Sequence, residues 1–252
     1  MNRIPKKAKF DILTLFPEVI DNYLNSSMLK KAQEEEIIEY HCHNIRDFAI
    51  DEYGHVDDTL YGGGNGMLMR PEPLYQAHQN ALDPSAKSIS IYLSPKGKIF
   101  NQDMAKELAK YEQLILICGH YEGIDQRFID KYVNLELSIG DFVISGGELA
   151  ALVVVDATSR MLPGFLASDE AMEDESHFNG LLEARQYTRP AKWQGIEVPA
   201  VLRSGNHGAI AKFRYLDSLN ETLEKRPDLF STLKLGEKDL IDLAEYRKSH
   251  TK

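Results

Sequence analysis

Three short apolar runs, each closed by a glycine-bearing segment, constrain this chain more than any other feature. Ser88 to Leu93 and Leu114 to Cys118 have the length of strands and no regular polar face, so they read as buried strands, and Asn134 to Leu137 is a third short run. Asp103 to Tyr111, between the first two, reads as a helix. Strands alternating with helices predict an α/β fold with a parallel sheet, in which ligands sit at the carboxyl ends of strands. Upstream, Phe10 to Leu15 adds a strand. Pro17 opens a helix running towards Gln33, Ile37 to Cys42 forms another strand, and an irregular stretch follows through Asp47.

The closing segments are Tyr92-Leu93-Ser94-Pro95-Lys96-Gly97, Cys118-Gly119-His120-Tyr121-Glu122-Gly123-Ile124-Asp125 and Ser138 through Glu148. Singly, each is ordinary turn chemistry. Placed together at one sheet edge, they predict a binding crevice. A fourth segment, Tyr61 to Met67, carries four glycines in five positions, so its backbone can approach a ligand closely, although taken alone a mobile surface loop is the better reading. It lacks the Gly-Lys-Ser/Thr ending of a phosphate-binding P-loop. Leu149 to Val155 has no polar face and reads as a buried helix or strand, set against another subunit. His41 and His43 flank Cys42, a spacing that by itself is a weak metal signal and fits a half-exposed strand.

Charge divides the chain. Its net charge is −10, which taken alone speaks against a nucleic-acid partner. Residues 180–252, however, hold 13 Lys/Arg against 10 Asp/Glu, so the excess of acid lies upstream. Residues 169–175 place five carboxylates in seven positions, the composition of a linker. Beyond it, Asn206 is a good N-cap for a helix with Ile210, Phe213, Leu216, Leu219 and Leu223 near one face, and Leu240, Leu243 and Tyr246 mark another. Two cysteines without a framework, no long apolar stretch after the N-terminal lysines and no membrane-length apolar run make the cytoplasm the expected compartment and a membrane partner unexpected.

These segments resemble the bacterial tRNA (guanine-N1)-methyltransferase family, a SPOUT-type group, almost end to end. The pieces that carry the resemblance are Leu15-Phe16-Pro17-Glu18, Val56-Asp57-Asp58 with Tyr61 to Met67, Tyr92-Leu93-Ser94-Pro95, Gly119 to Arg127, Ser138 to Glu148, Gly180-Leu181-Leu182, Tyr187-Thr188-Arg189-Pro190 and Val201-Leu202-Arg203-Ser204-Gly205. So many matches in the right order outweigh the charge argument. The resemblance implies a knotted α/β domain over residues 1–166, a flexible acidic linker over 167–182 and an all-helical tRNA-binding domain over 183–252. The trefoil knot is something unaided reasoning would exclude, since knots are nearly absent from proteins.

It also implies a homodimer with shared active sites, S-adenosylmethionine as methyl donor, and magnesium (Mg2+) as an ion the family is thought to use. The donor-binding residues would be Tyr92, Leu93, Ser94 and Pro95; Gly119, Tyr121, Glu122 and Gly123; and Ser138, Ile139, Gly140, Phe142, Ile144, Gly146 and Gly147. Guanine N1 carries a proton and is a poor nucleophile until that proton leaves, which calls for a base near N1 and a cation near O6. By resemblance Arg160 is the cation and a linker carboxylate is the base. The family commonly has Asp followed by Ser and Phe, whereas this chain reads Asp174-Glu175-Ser176-His177-Phe178. An ungapped count puts Glu175 at the base position with Ser176 after it, and Asp174 is the alternative. Local positive charge nominates Arg189, Lys192, Arg203, Lys212 and Arg214 for tRNA contact, against the plain reading of a solvated helical face. Two other functions stand beside this one: a non-catalytic RNA-binding protein that lost the base, and a related knotted methyltransferase acting on ribose or ribosomal RNA.

Overall fold

A computed structural model describes residue 5, residues 7–166 and residues 176–250. The chain divides into two compact units, 1–167 and 168–252, taken here in turn.

The first unit is built on a five-stranded sheet in the order β2-β1-β6-β5-β7, with every neighbouring pair parallel. The strands are β1 (Ala8–Thr14), β2 (Ile38–Asn44), β5 (Ser88–Ile99), β6 (Gln113–Cys118) and β7 (Leu135–Ser138). A separate antiparallel pair, β3 (Asp57–Thr59) and β4 (Met67–Met69), flanks the glycine-rich stretch. Every residue of β6 is buried, as its unbroken apolar run requires of a central parallel strand. On one face, α3 (Pro71–Ala81) and α5 (Gln126–Tyr132) close a core of Leu13, Met69, Leu74, Ile115, Ile117 and Phe128. On the other lie α1 (Pro17–Leu24), α2 (Ser27–Glu34), α4 (Gln102–Leu108) and α6 (Glu148–Ser159).

Several local outcomes differ from the sequence reading. The helix expected to run from Pro17 to Gln33 is two helices. The interruption falls at Asn25 and Ser26, residues whose short polar side chains compete with the helical backbone, and Ser27 takes a positive φ of 47°. Leu149 to Val155 lies inside α6, so of the two readings the helix is correct. Most of it is buried, but Leu149 and Val153 are exposed. The helix α3, opened by Pro71, was not anticipated at all. β5 does not end at Leu93. Leu137 of β7 pairs with both Leu93 and Lys98, so the four residues 94–97 leave the ladder as a bulge and the strand then resumes. Gly97 is required there, because a Cβ would fall 2.5 Å from the backbone of Glu136 and Leu137.

In the second unit, α7 (His207–Lys225), the short α8 (Pro227–Phe230) and α9 (Glu237–His250) enclose a small core of Phe213, Leu216, Leu219, Leu243 and Tyr246. Asn206 caps α7 as expected, its side chain accepting from the Ala209 N–H at 3.1 Å. Leu240, placed on the buried face by spacing, is half exposed. The unit also holds a two-stranded ribbon, β8 (Lys192–Trp193) and β9 (Ile196–Glu197), which an all-helical expectation omits. Among the described residues no helix is long and apolar enough to cross a membrane.

Candidate functional site

The β5 bulge and the loops leaving the carboxyl ends of β6 and β7 converge on one cavity of about 510 Å³, within the range of small-molecule sites. All fifteen residues nominated for the donor line it: Tyr92 and Leu93 of the β5 ladder with Ser94 and Pro95 of its bulge; Gly119, Tyr121, Glu122 and Gly123 after β6; Ser138 at the end of β7 and Ile139, Gly140, Phe142, Ile144, Gly146 and Gly147 after it. Leu60 and Leu68, from either side of the glycine-rich stretch, complete the wall. Of that stretch, Gly66 is packed, since a Cβ there would sit 2.5 Å from Glu122 Oε1, while Gly62, Gly63 and Gly64 meet nothing.

Close backbone packing shapes the cavity. Gly147 donates its N–H to the Gly119 carbonyl at 3.0 Å, and a Cβ on Gly147 would come within 2.7 Å of Cys118 Cα. Gly119 lies against the Tyr92 ring, with 2.8 Å left for a Cβ. Ser138 Oγ donates to the Gly140 carbonyl at 2.9 Å, fixing the turn in which Gly140 holds a φ of +150°. Tyr121 takes a positive φ of 58° and stays half exposed, an arrangement that costs energy and is commonest at functional sites. Burial, followed by the nearby Glu136 charge, pushes the Tyr92 phenol above its ordinary pKa.

Beneath the third loop is a buried network that sequence reasoning missed. His120 Nε2 bridges both carboxylate oxygens of Glu148, at 2.9 and 2.8 Å, and Thr14 Oγ1 donates to Glu148 Oε1 at 2.6 Å. Burial works to raise the Glu148 pKa, but the bonds from His120 and Thr14 outweigh it and hold the carboxyl below its ordinary 4.5. Gly146 is the only residue type this arrangement accepts, since a Cβ would lie 2.2 Å from the His120 ring and 2.6 Å from Glu148 Oε2. Thr14 and Glu148 stand 134 positions apart, so no local pattern could have paired them. His120 lies within the glycine-bearing segment after β6, the one signal of this network that the sequence offers.

The other nominated residues lie elsewhere. Arg160 caps the far end of α6, partly buried, and does not line the cavity. Glu175 and Asp174 lie outside the described residues. In the second unit Ser176 Oγ accepts from the Glu183 N–H at 3.0 Å. Lys192 and Arg203 both approach Glu197, at 3.4 and 3.7 Å, and Lys212 pairs with Asp242 at 2.9 Å. Arg189 and Arg214 are exposed. His43 meets Asp11 at 2.8 Å, and the Cys42 thiol donates to Asp21, so both are engaged within the sheet region. Among the described residues no three His, Cys, Asp or Glu side chains group so as to hold a metal.

Residues 8–232 match the protein family described as tRNA (Guanine-1)-methyltransferase TrmD. The chain is 51% identical over 243 residues to a tRNA (guanine-N(1)-)-methyltransferase of Alkaliphilus metalliredigens, covering 95% of this chain and 98% of the relative. It is 50% identical to proteins of the same name from Dehalococcoides mccartyi, over 93% of this chain and 96% of the relative, and Ruminiclostridium cellulolyticum, over 92% and 100%.

Proposed function

The chain belongs to the tRNA (guanine-1)-methyltransferase family, and from that premise we propose that it transfers a methyl group from S-adenosylmethionine to N1 of guanosine 37, beside the anticodon of tRNA. The observation that carries this reading is the single cavity formed by all three glycine-bearing loops. Its chemistry suits the donor. Glu122 and Glu136 oppose one lysine, Lys96, along the wall, which favours a cationic ligand, and Leu93, Leu137, Ile144 and Phe142 offer apolar surface to a flat base.

When bound, S-adenosylmethionine supplies an electrophilic methyl group. The chain's own residues must remove the guanine N1 proton and stabilise the negative charge that then moves to O6. We assign the first task to a carboxylate at 174 or 175 and the second to Arg160. Among the described residues no three carboxylate, histidine or cysteine side chains group as ligands for magnesium.

Arg160 ends a twelve-residue helix whose first turn lines the cavity, so it stands about 18 Å from that end. A second copy is therefore the better source of the O6 cation, which supports a homodimer with shared sites. Leu149 and Val153 are exposed on α6, and Val19 and Tyr23 on the adjoining α1, a surface suited to covering by that copy. We further assign residues 1–166 to donor binding, with the chain knotted through the three loops, 167–182 to a linker and 183–252 to tRNA, in a cytoplasmic protein.

The test is incubation of the protein with isotopically labelled donor and tRNA transcripts, followed by identification of the modified base. Label should appear as N1-methylguanosine at position 37 and vanish when G37 or G36 is replaced. Robust transfer to a transcript lacking both would overturn the assignment.

A further inference from the structure

We propose that Trp193, at the tip of the β8–β9 ribbon, is a stacking platform for an unpaired base of the RNA substrate. This proposal rests on the reading that tRNA is the substrate.

Trp193 is the chain's one tryptophan, and it is 62% exposed. Directly opposite it in register stands Ile196, 67% exposed, so two large apolar side chains share one face of the ribbon. Single exposed apolar residues need no explanation, but a cross-strand pair this open implies something that covers it. The ribbon is held firmly for so small an element. Its two-residue loop, Gln194-Gly195, has positive φ at both positions, 48° and 85°, the pattern of a type I′ hairpin turn, and the Val198 N–H closes on the Ala191 carbonyl at 2.9 Å. A one-residue slip would send Trp193 to the opposite face, so the turn fixes the direction in which the ring is shown.

The surroundings select the occupant. Lys192 and Glu197 form an ion pair on the reverse face, and Arg203 reaches the same carboxylate. From Glu183 to Gly208 the chain holds four Lys/Arg against two Asp/Glu, within a protein of net charge −10. An exposed indole on one face of a ribbon, within a segment of excess positive charge, matches how unpaired nucleotides are gripped: the base stacks on the ring, and Lys and Arg of the same segment attract the phosphates. Duplex RNA offers no free base face, so the partner is a single-stranded loop.

Because the chain has one tryptophan, its own emission reports on this site. Saturating tRNA should quench or shift that emission, and S-adenosylmethionine alone should not. Stacking is worth about 5- to 150-fold in affinity per base. Trp193→Ala should therefore raise the KM for tRNA about tenfold, leaving kcat and donor affinity near wild type, while Trp193→Phe should retain most of the affinity. Unchanged emission with tRNA demonstrably bound by filter retention, together with an unchanged KM in Trp193→Ala, would overturn the proposal. So would a Trp193→Ala protein that changes its sedimentation mass, since the ribbon would then be an interface between protein subunits. A wild-type protein that retains no tRNA would overturn the functional reading as well.

Discussion

Gly146 shows how much one missing side chain can decide. The His120–Glu148 pair occupies the space in which its Cβ would lie. Gly146→Ala must push the loop outward or break that pair, so it should weaken S-adenosylmethionine binding at least tenfold by calorimetry while the protein remains folded. Unchanged affinity would mean that the loop does not touch the donor. The base is a matter of single residues too. General-base catalysis contributes about 10²–10⁴-fold, so Glu175→Gln should depress the single-turnover rate by that order with donor affinity intact, and Asp174→Asn should be mild. The reverse ranking would move the base to Asp174. The sequence made the carboxylates and glycines visible as residue types. It could not show that His120 meets Glu148, because that contact depends on the β7–α6 loop folding back over β6.

Among the elements, the segment entering the second unit is pinned to α7 by buried polar groups. Asp217 is fully buried and accepts from the Arg185 backbone N–H at 2.7 Å, from Arg185 Nε at 2.9 Å and from the Tyr246 hydroxyl at 2.5 Å. Thr222 Oγ1 accepts from the Leu182 N–H at 2.9 Å, and Ser218 Oγ donates to the Leu182 carbonyl. Burial raises the Asp217 pKa, but Arg185 and Tyr246 outweigh it and bring the carboxyl below its ordinary 3.8. A carboxyl whose pKa is depressed by folding stabilises the fold fully above its unfolded value and loses that contribution as pH falls through the folded value. Stability should thus hold down to about pH 4 and decline below it, with Glu148 and the buried Asp11, also lowered, adding to the loss. Asp217→Asn should cost about 1–2 kcal/mol at neutral pH, a figure kept modest because Arg185 is partly exposed, and should flatten the acid limb. Thermal melts of both proteins between pH 3 and 7 check this. Equal slopes would remove Asp217 as a contributor.

At the scale of the whole molecule, the placement of Arg160 and the open α6 face make a single copy chemically incomplete in our reading. Leu149→Asp with Val153→Asp should shift sedimentation from dimer to monomer and reduce methyl transfer to tRNA about a hundredfold or more, since each cavity would lose the partner's arginine. A variant that is monomeric and fully active would show that one chain supplies the entire site.

The amino-acid sequence by itself determined the parallel α/β class and the positions of the strands β1, β2, β5, β6 and β7. The unbroken apolar run of β6 has few ways to bury itself other than at the centre of a parallel sheet, and the cap at Asn206 is equally local. It also put the loops after β6 and β7 at one edge, because parallel strands release their chain at the same end. What only the tertiary structure decided is non-local. The strand order places β6 between β1 and β5, and the pairing of Leu137 with both Leu93 and Lys98 expels residues 94–97 into the cavity. The fold brings Thr14 to Glu148 across 134 residues and leaves Trp193 in the open. Each of these outcomes depends on which surfaces meet, and that information is held in the packed chain rather than in any window of its sequence.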